Sequence, residues 1–253
     1  LICFERVNRE SIDDIESLIG IGRCQLALGR DTQAITPLLR ATSLRSNDDE
    51  LAKLARSAIA QEPSKEGRRR DLRKLFEIRP YDREITFELA QLEFELGHHV
   101  EVIELINTDA PALHSDTDAL LLLAQAQSAI ERDDDCRRTC ERVLAIRPND
   151  KRILTLLGIV DARTGNVDAA IQALESALAE TPSADVRERL YDLYRTRTNA
   201  LMSADDVAGA ERAASRALQL RKDDQTLRLQ VAQLQSRLGR VEDEIDTLRA
   251  EIG

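Results

Sequence analysis

The sequence predicts an all-α chain of stacked helical hairpins, and two observations carry this prediction. The 253 residues include 10 Gly, 6 Pro, 3% aromatic residues and no Trp. Strand-rich folds rely on aromatic and β-branched residues and place Gly and Pro at their many turns. Glycines and prolines also recur with a common period, which indicates an internal repeat. The composition therefore argues against a sandwich, a barrel or a propeller.

The length of the repeat follows from two sets of residues. Gly29, Gly97 and Gly165 have sequence separations of 68 and 68. Pro80, Pro148 and Pro182 have sequence separations of 68 and 34. The common divisor is 34, and a unit of about 34 residues is enough for two short helices and their turns.

The clearest copy of the repeat covers residues 151–184. Its first half contains Leu154 and Gly158, and its second half contains Ala170 and Leu174. This spacing resembles the tetratricopeptide repeat family, whose pattern is W-x2-L-G-x2-Y, then A-x3-F, then P. The resemblance implies a right-handed superhelical solenoid, an α-α superhelix, of about seven hairpins.

The small residues of this copy have a physical role. Gly158 has no side chain, so the second helix of the hairpin can approach the first closely. Ala170 and Ala177 allow the same approach from the second helix, and Leu174 fills the remaining space. Gly165 permits the positive φ that the turn between the two helices requires.

We expect a single solenoid over residues 1–253, in which residues 1–14 are the tail of a preceding helix. After Pro182 the register slips, because the next match follows at a separation of 40 rather than 34. The six extra residues predict a longer first helix near 184–202. The units are predicted at 15–48, 49–82, 83–116, 117–150, 151–184, 185–224 and 225–253.

The C-terminal segment 227–252 fits two structures. Its apolar residues alternate spacings of four and three, which is typical of a two-stranded coiled coil and would make the chain a homodimer. Ala232 and Gly239 instead fall in register with the repeat, which favours a final helical pair. Both alternatives stay open, and the heptad residues are Leu227, Val231, Leu234, Leu238, Val241, Ile245, Leu248 and Ile252.

Charge restricts the class of partner. The net charge is −10 and the pI is about 5.0, whereas a nucleic-acid binder usually has a basic face and a high pI. We therefore expect no nucleic acid partner. One basic run, at 67–74, is either a solvated helix face or a docking patch for an anion.

Since no run of about 18 apolar residues occurs, we expect no segment that spans a membrane.

No motif of nucleotide binding, zinc proteolysis or serine hydrolysis occurs in the chain. The sequence therefore predicts no enzyme, no catalytic residue, no cofactor and no metal. Cys136 and Cys140 lie on one face of a helix and are interpreted as core residues, with a metal or redox role as the alternative. His98 and His99 follow Gly97 and are interpreted as a solvated turn pair, with metal binding as the alternative.

The ends and the composition of the chain suggest its origin. The chain begins at Leu1, and its first seven residues, LICFERV, read as the interior of a helix, so we expect a piece of a longer protein. Of its 36 basic Lys and Arg residues only 5 are Lys, a bias typical of GC-rich bacterial genomes. We expect a cytoplasmic location, or a periplasmic one if an export signal has been removed.

The family resemblance implies that the first helices of the units line a concave face that binds peptides or partner proteins. Phe87 and Phe94 are seven residues apart and neither fills a core position of the repeat, so they predict an apolar anchor site. Alternatively, both pack against the neighbouring unit at 49–82. By matching positions, the predicted groove residues are Ile19, Arg23, Lys53, Phe87, Gln91, Phe94, Leu121, Gln125, Arg152, Thr155, Ile159 and Arg163.

Two classes of function fit these features. The first is a non-catalytic scaffold that binds a peptide or protein on this face. The second is the helical arm of a larger enzyme or of a secretion or exopolysaccharide export machine.

Overall fold

The computed structural model describes residues 14–107 and 115–249, and in these residues it contains fourteen α-helices and no strand. The helices alternate as first and second members of hairpins. In chain order they are α1 Ile15–Ala27, α2 Asp31–Leu44, α3 Asp49–Ala60, α4 Lys65–Ile78, α5 Arg83–Glu95, α6 His99–Asn107, α7 Thr117–Ala129, α8 Asp133–Ile146, α9 Lys151–Arg163, α10 Val167–Glu180, α11 Ala184–Ser203, α12 Val207–Leu220, α13 Gln225–Arg237 and α14 Val241–Arg249.

The chain divides into two compact units, residues 1–130 with α1 to α7 and residues 131–253 with α8 to α14. Within each unit, every described helix packs on the next helix along the chain. In the first unit, contacts also join α2 to α4 and α5 to α7. The architecture is thus an all-α helical repeat.

An aspartate begins most of the first helices, with the period of the repeat. Asp14, Asp48, Asp82, Asp116 and Asp150 are the N-caps of α1, α3, α5, α7 and α9. Each carboxylate accepts a hydrogen bond from a backbone N–H of the first turn, which satisfies a donor that has no partner within the helix. These caps fix where each hairpin starts.

Close approach of the two helices depends on a glycine in two of the hairpins. A Cβ atom added at Gly22 would overlap Cδ2 of Leu38, and one added at Gly158 would lie 2.5 Å from Cγ of Leu174. Both leucines are buried, with 0% and 1% of their surface exposed. The predicted role of Gly158 and Leu174 in packing is confirmed.

The turn within a hairpin uses the left-handed backbone conformation. It is occupied by glycine in four hairpins, at Gly29, Gly97, Gly165 and Gly239, with φ between +66° and +82°. Glu131 and Asp205 occupy the same turn in two others, with φ of 60° and 58°. A side chain in this conformation is strained, because Cβ approaches the following carbonyl oxygen.

Replacing Glu131 with Gly is expected to raise the free energy of unfolding by about 1 kcal/mol, because glycine removes this strain. Glu131→Ala is the control, since it removes the carboxylate but keeps Cβ. Urea denaturation followed by circular dichroism measures both variants. Equal stability of the two variants would contradict the explanation.

The C-terminal segment is a helical pair. The helix that a coiled coil over 227–252 requires is interrupted between α13 and α14, where Gly239 has a φ of +73°. Leu227, Val231 and Leu234 are buried in the core of the second unit. Leu238 is half-buried, whereas Val241, Ile245 and Leu248 are exposed, at 58%, 41% and 38%. Ile252 lies outside the described residues.

Candidate functional site

The candidate site is a surface that we call the first-helix face, formed by exposed and half-buried residues of the first helices in unit 1. These residues occupy the fifth and ninth positions of their repeats. The face is defined by Arg23 of α1, Lys53 of α3, Phe87 and Gln91 of α5, and Gln125 of α7.

Phe87 is the only aromatic residue of this face, and it is half-buried. The guanidinium of Arg83, one turn earlier on α5, lies 6.0 Å from the centre of its ring. Gln91 and Gln125 are exposed, and their amides make no hydrogen bond with any described residue. An aromatic ring beside a cation and free amide groups can bind an apolar side chain and the backbone on either side of it.

Three other predicted groove residues of unit 1 are not part of this face. Ile19 and Leu121 are buried, with 8% and 7% of their surface exposed, so they offer little area to a partner. Phe94 is half-buried and its ring meets that of His99 edge to face, with centroids 5.0 Å apart. Phe94 therefore packs on the second helix of its own hairpin, and Phe87 is the better candidate for an anchor.

Ion pairs join α3 and α5 next to Phe87. Arg56 of α3 forms ion pairs with Glu84 and, at 3.5 Å, with Glu88 of α5. The hydrogen bond from Arg56 lowers the pKa of Glu84, whereas burial raises the pKa of Glu88. A cavity of about 370 Å³ lies between these helices, with Lys53, Arg56 and Glu84 in its wall. Arg56, Glu84 and Glu88 are already paired with one another, so Phe87 is the side chain beside them that remains available to bind a partner.

The remaining predicted groove residues are in the second unit, on α9. Arg152 bonds to Asp150, and Arg163 forms an ion pair with Asp133. Thr155 and Ile159 are half-buried. Because these residues belong to a separate compact unit, we restrict the candidate site to the first-helix face.

Comparison with known proteins identifies the repeat. The model of a tetratricopeptide repeat family matches residues 121–185, where α7 to α10 form the helices. Residues 121–185 are therefore similar to tetratricopeptide repeats. No curated protein matches the sequence.

Solved structures of tetratricopeptide repeat proteins share the fold. YrrB is 15% identical, with a TM-score of 0.55, covering 72% of this chain and 94% of that one. The C-terminal part of a tetratricopeptide protein from Cytophaga hutchinsonii is 11% identical, with a TM-score of 0.55 and coverage of 89% and 90%. MamA is 18% identical, with a TM-score of 0.51 and coverage of 65% and 90%. At these identities the likeness shows the fold alone.

A buried carboxylate between two helical repeats explains much of the basic run 67–74. Glu93 of α5 has no exposed side-chain surface. It accepts hydrogen bonds from Arg69 Nε and Arg73 Nη2 of α4, both at 2.8 Å, and its Oε2 lies 2.7 Å from His98 Nδ1. Arg70 and Lys74 of the same run pair with Asp71. Arg69 and Arg73 therefore join the two repeats, whereas Arg70 and Lys74 pair within α4, so these four cations already have acidic partners. His98 is not simply solvated.

The same junction recurs further along the chain. Arg69 and Glu93 have a sequence separation of 24, with the arginine at the twenty-first position of one repeat and the glutamate at the eleventh of the next. Arg137 and Asp161 have the same spacing and form an ion pair at 2.5 Å. Sequence reasoning missed these pairs, although an acidic residue at an otherwise buried position was the available signal.

The cysteines show the environment of core residues. Cys136 and Cys140 are both fully buried, with their Sγ atoms 4.0 Å apart. In the described part of the chain, no group of three or more His, Cys, Asp and Glu side chains is arranged to hold a metal ion. Nor is any helix among those residues long and apolar enough to cross a lipid bilayer.

Proposed function

We propose that this chain is a non-catalytic scaffold that binds a peptide segment of a partner protein on the first-helix face, with Phe87 as the anchor. The observation that carries the proposal is a half-buried aromatic ring on an exposed helix face, beside Arg83 and Gln91. Aromatic residues in such positions are typical energetic anchors of interfaces.

Two further points support a peptide ligand. Repeat arrays present extended surfaces to their partners, and the free amides of Gln91 and Gln125 can pair with an extended backbone. The structure of YrrB, which shares the fold, is described as that of a tetratricopeptide protein with an unusual peptide-binding site. Only the class of ligand, a peptide, is carried over from YrrB to this chain.

Selection from a random peptide library displayed on phage tests the proposal. Peptides enriched on the wild-type chain are synthesised, and their affinities for Phe87→Ala and Phe76→Ala variants are measured by fluorescence anisotropy. Phe76 is a half-buried phenylalanine on α4, a second helix, and serves as the matched control. We expect Phe87→Ala to weaken binding at least about tenfold, which is about 1.4 kcal/mol, without a change in melting temperature.

The control variant should bind the selected peptides with an affinity within about twofold of the wild type. If the Phe87→Ala variant binds as tightly as the wild type, the first-helix face is not the peptide site. Loss of the folded state in that variant would place Phe87 in the core and would contradict the proposal too.

A further inference from the structure

A basic pocket lies on the second unit, between α11 and α12. We call it the arginine pocket and define it by Arg197 of α11 and by Arg212 and Arg216 of α12. Its volume is about 230 Å³, and its wall also contains one acidic residue, Asp206, together with Tyr194, Leu201, Gly209 and Ala213. This volume suits one side chain or a small ion.

The arginines of this pocket have few acidic partners. Arg197 pairs at 3.1 Å with Asp168, whose side chain is 76% exposed. Arg216 donates to the amide oxygen of Gln219 at 3.3 Å. Arg212 is exposed and forms no ion pair with any residue that the structure describes. Arg212 and Arg216 therefore line one pocket without an ion pair to any described carboxylate.

Asp206 lines the arginine pocket and Glu175 lies beside Tyr194, and both carboxylates are bonded to other donors. Asp206 accepts the backbone N–H of Gly209 at 2.8 Å, as the N-cap of α12. Glu175 accepts the hydroxyl of Tyr194 at 2.5 Å. In a chain with a net charge of −10, a pocket with this excess of positive charge is complementary to an anion.

An apolar pocket adjoins the arginine pocket and shares Tyr194 and Arg216 with it. Its wall includes Leu178 of α10, Leu190 of α11 and Leu220 of α12, and its volume is about 310 Å³. Glu175 also lines it, with its carboxylate bonded to the hydroxyl of Tyr194. A ligand that fills both pockets must carry an anionic group next to an apolar one.

We propose that this surface binds an acidic peptide, with a carboxylate in the arginine pocket and a neighbouring apolar side chain in the apolar pocket. Guanidinium groups bind carboxylates through two parallel hydrogen bonds, which gives both strength and orientation. A phosphate ion would use the arginine pocket alone, so the paired pockets favour the peptide. The site is independent of the first-helix face, because it lies in the other unit and on different helices.

Fluorescence anisotropy with a labelled peptide containing Leu-Glu-Glu-Leu between glycines tests the proposal on the full chain. The double variant Arg212→Gln and Arg216→Gln is expected to bind it at least about tenfold more weakly than the wild type. The charge-matched control is Arg147→Gln with Arg187→Gln, two exposed arginines of the same unit that do not line either pocket. Its affinity should stay within about twofold of the wild type.

Two altered peptides separate the contributions of the pockets. Replacing both Glu residues with Gln, or both Leu residues with Gly, should each weaken binding at least about tenfold. The Phe87→Ala variant should bind the acidic peptide like the wild type, so failure here is distinguishable from failure of the proposed function.

Several results would overturn the proposal. Absence of binding at about 1 mM peptide, or equal binding by the arginine double variant, would show that the pocket does not take an acidic peptide. If the peptide with Gly in place of both Leu residues binds as tightly as the original peptide and is displaced by inorganic phosphate, the pocket is a simple anion site instead.

Discussion

Replacing Gly158 with Ala is expected to lower the free energy of unfolding by about 2 kcal/mol, although alanine is the better helix former. The added Cβ would lie 2.5 Å from Cγ of Leu174 and 3.3 Å from the backbone oxygen of Ala170. Leu174 is 1% exposed and packed in the core of unit 2, so it has little freedom to move away. The helices must separate, which weakens contacts along both.

A double-mutant cycle isolates this contact. Leu174→Ala alone is expected to cost about 3 kcal/mol, because it leaves a cavity in the core. In that background Gly158→Ala should cost almost nothing, so the coupling between the two changes is about 2 kcal/mol. Urea denaturation followed by circular dichroism gives the four free energies. An equal cost of Gly158→Ala in both backgrounds would show that Leu174 is not what requires the glycine.

Replacing Glu93 with Gln is the second substitution with a large expected effect, a loss of about 2 kcal/mol at pH 7. The carboxylate is fully buried and bonded to Arg69, Arg73 and His98, so the amide leaves the two arginines without their counter-charge. This loss is smaller than the cost of breaking a fully buried pair, because the three partner side chains are 33% to 37% exposed. Glu95→Gln is the control, since Glu95 pairs with Lys65 on the surface, where such pairs contribute under about 1 kcal/mol.

The effect of Glu93 should depend on pH in a defined direction. Burial would raise the pKa of Glu93, but hydrogen bonds from His98, Arg69 and Arg73 outweigh burial and lower it. A lowered pKa in the folded state means that the stabilisation is present above the ordinary pKa of 4.5 and is lost as the pH falls through the folded value. The difference in unfolding free energy between wild type and Glu93→Gln should therefore shrink below pH 4.5. A difference that stays constant there would contradict the assigned role of the charge.

The fold could be predicted from the sequence because small residues mark the repeat. Gly158 and Leu174 stand where the packing of two helices requires them, and Gly165 stands at a turn with positive φ. Gly29, Gly97 and Gly165 are 68 residues apart, which is twice the repeat length, because glycine does not occupy every turn. Other residues, such as Glu131, occupy the turns in between.

The details of the site could not be predicted in the same way. The partners of Glu93 lie 20 and 24 residues away on another helix, and one sequence does not show which of several arginines will reach it. Phe87 and Phe94 looked equivalent from their spacing, yet only the structure shows that Phe94 packs against His99. The arginine pocket depends on side chains of two successive helices, α11 and α12, and on which of their exposed arginines the packing brings to one surface.

Site-specific photo-crosslinking tests the central claim most directly. Benzoylphenylalanine is placed at Gln91, on the first-helix face, or at Glu104, an exposed residue of the second helix α6. A peptide selected on the wild-type chain is then added and irradiated. The proposed function predicts a crosslink from position 91 and none from position 104. Crosslinking from position 104 alone would contradict the claim that the first helices bind the partner.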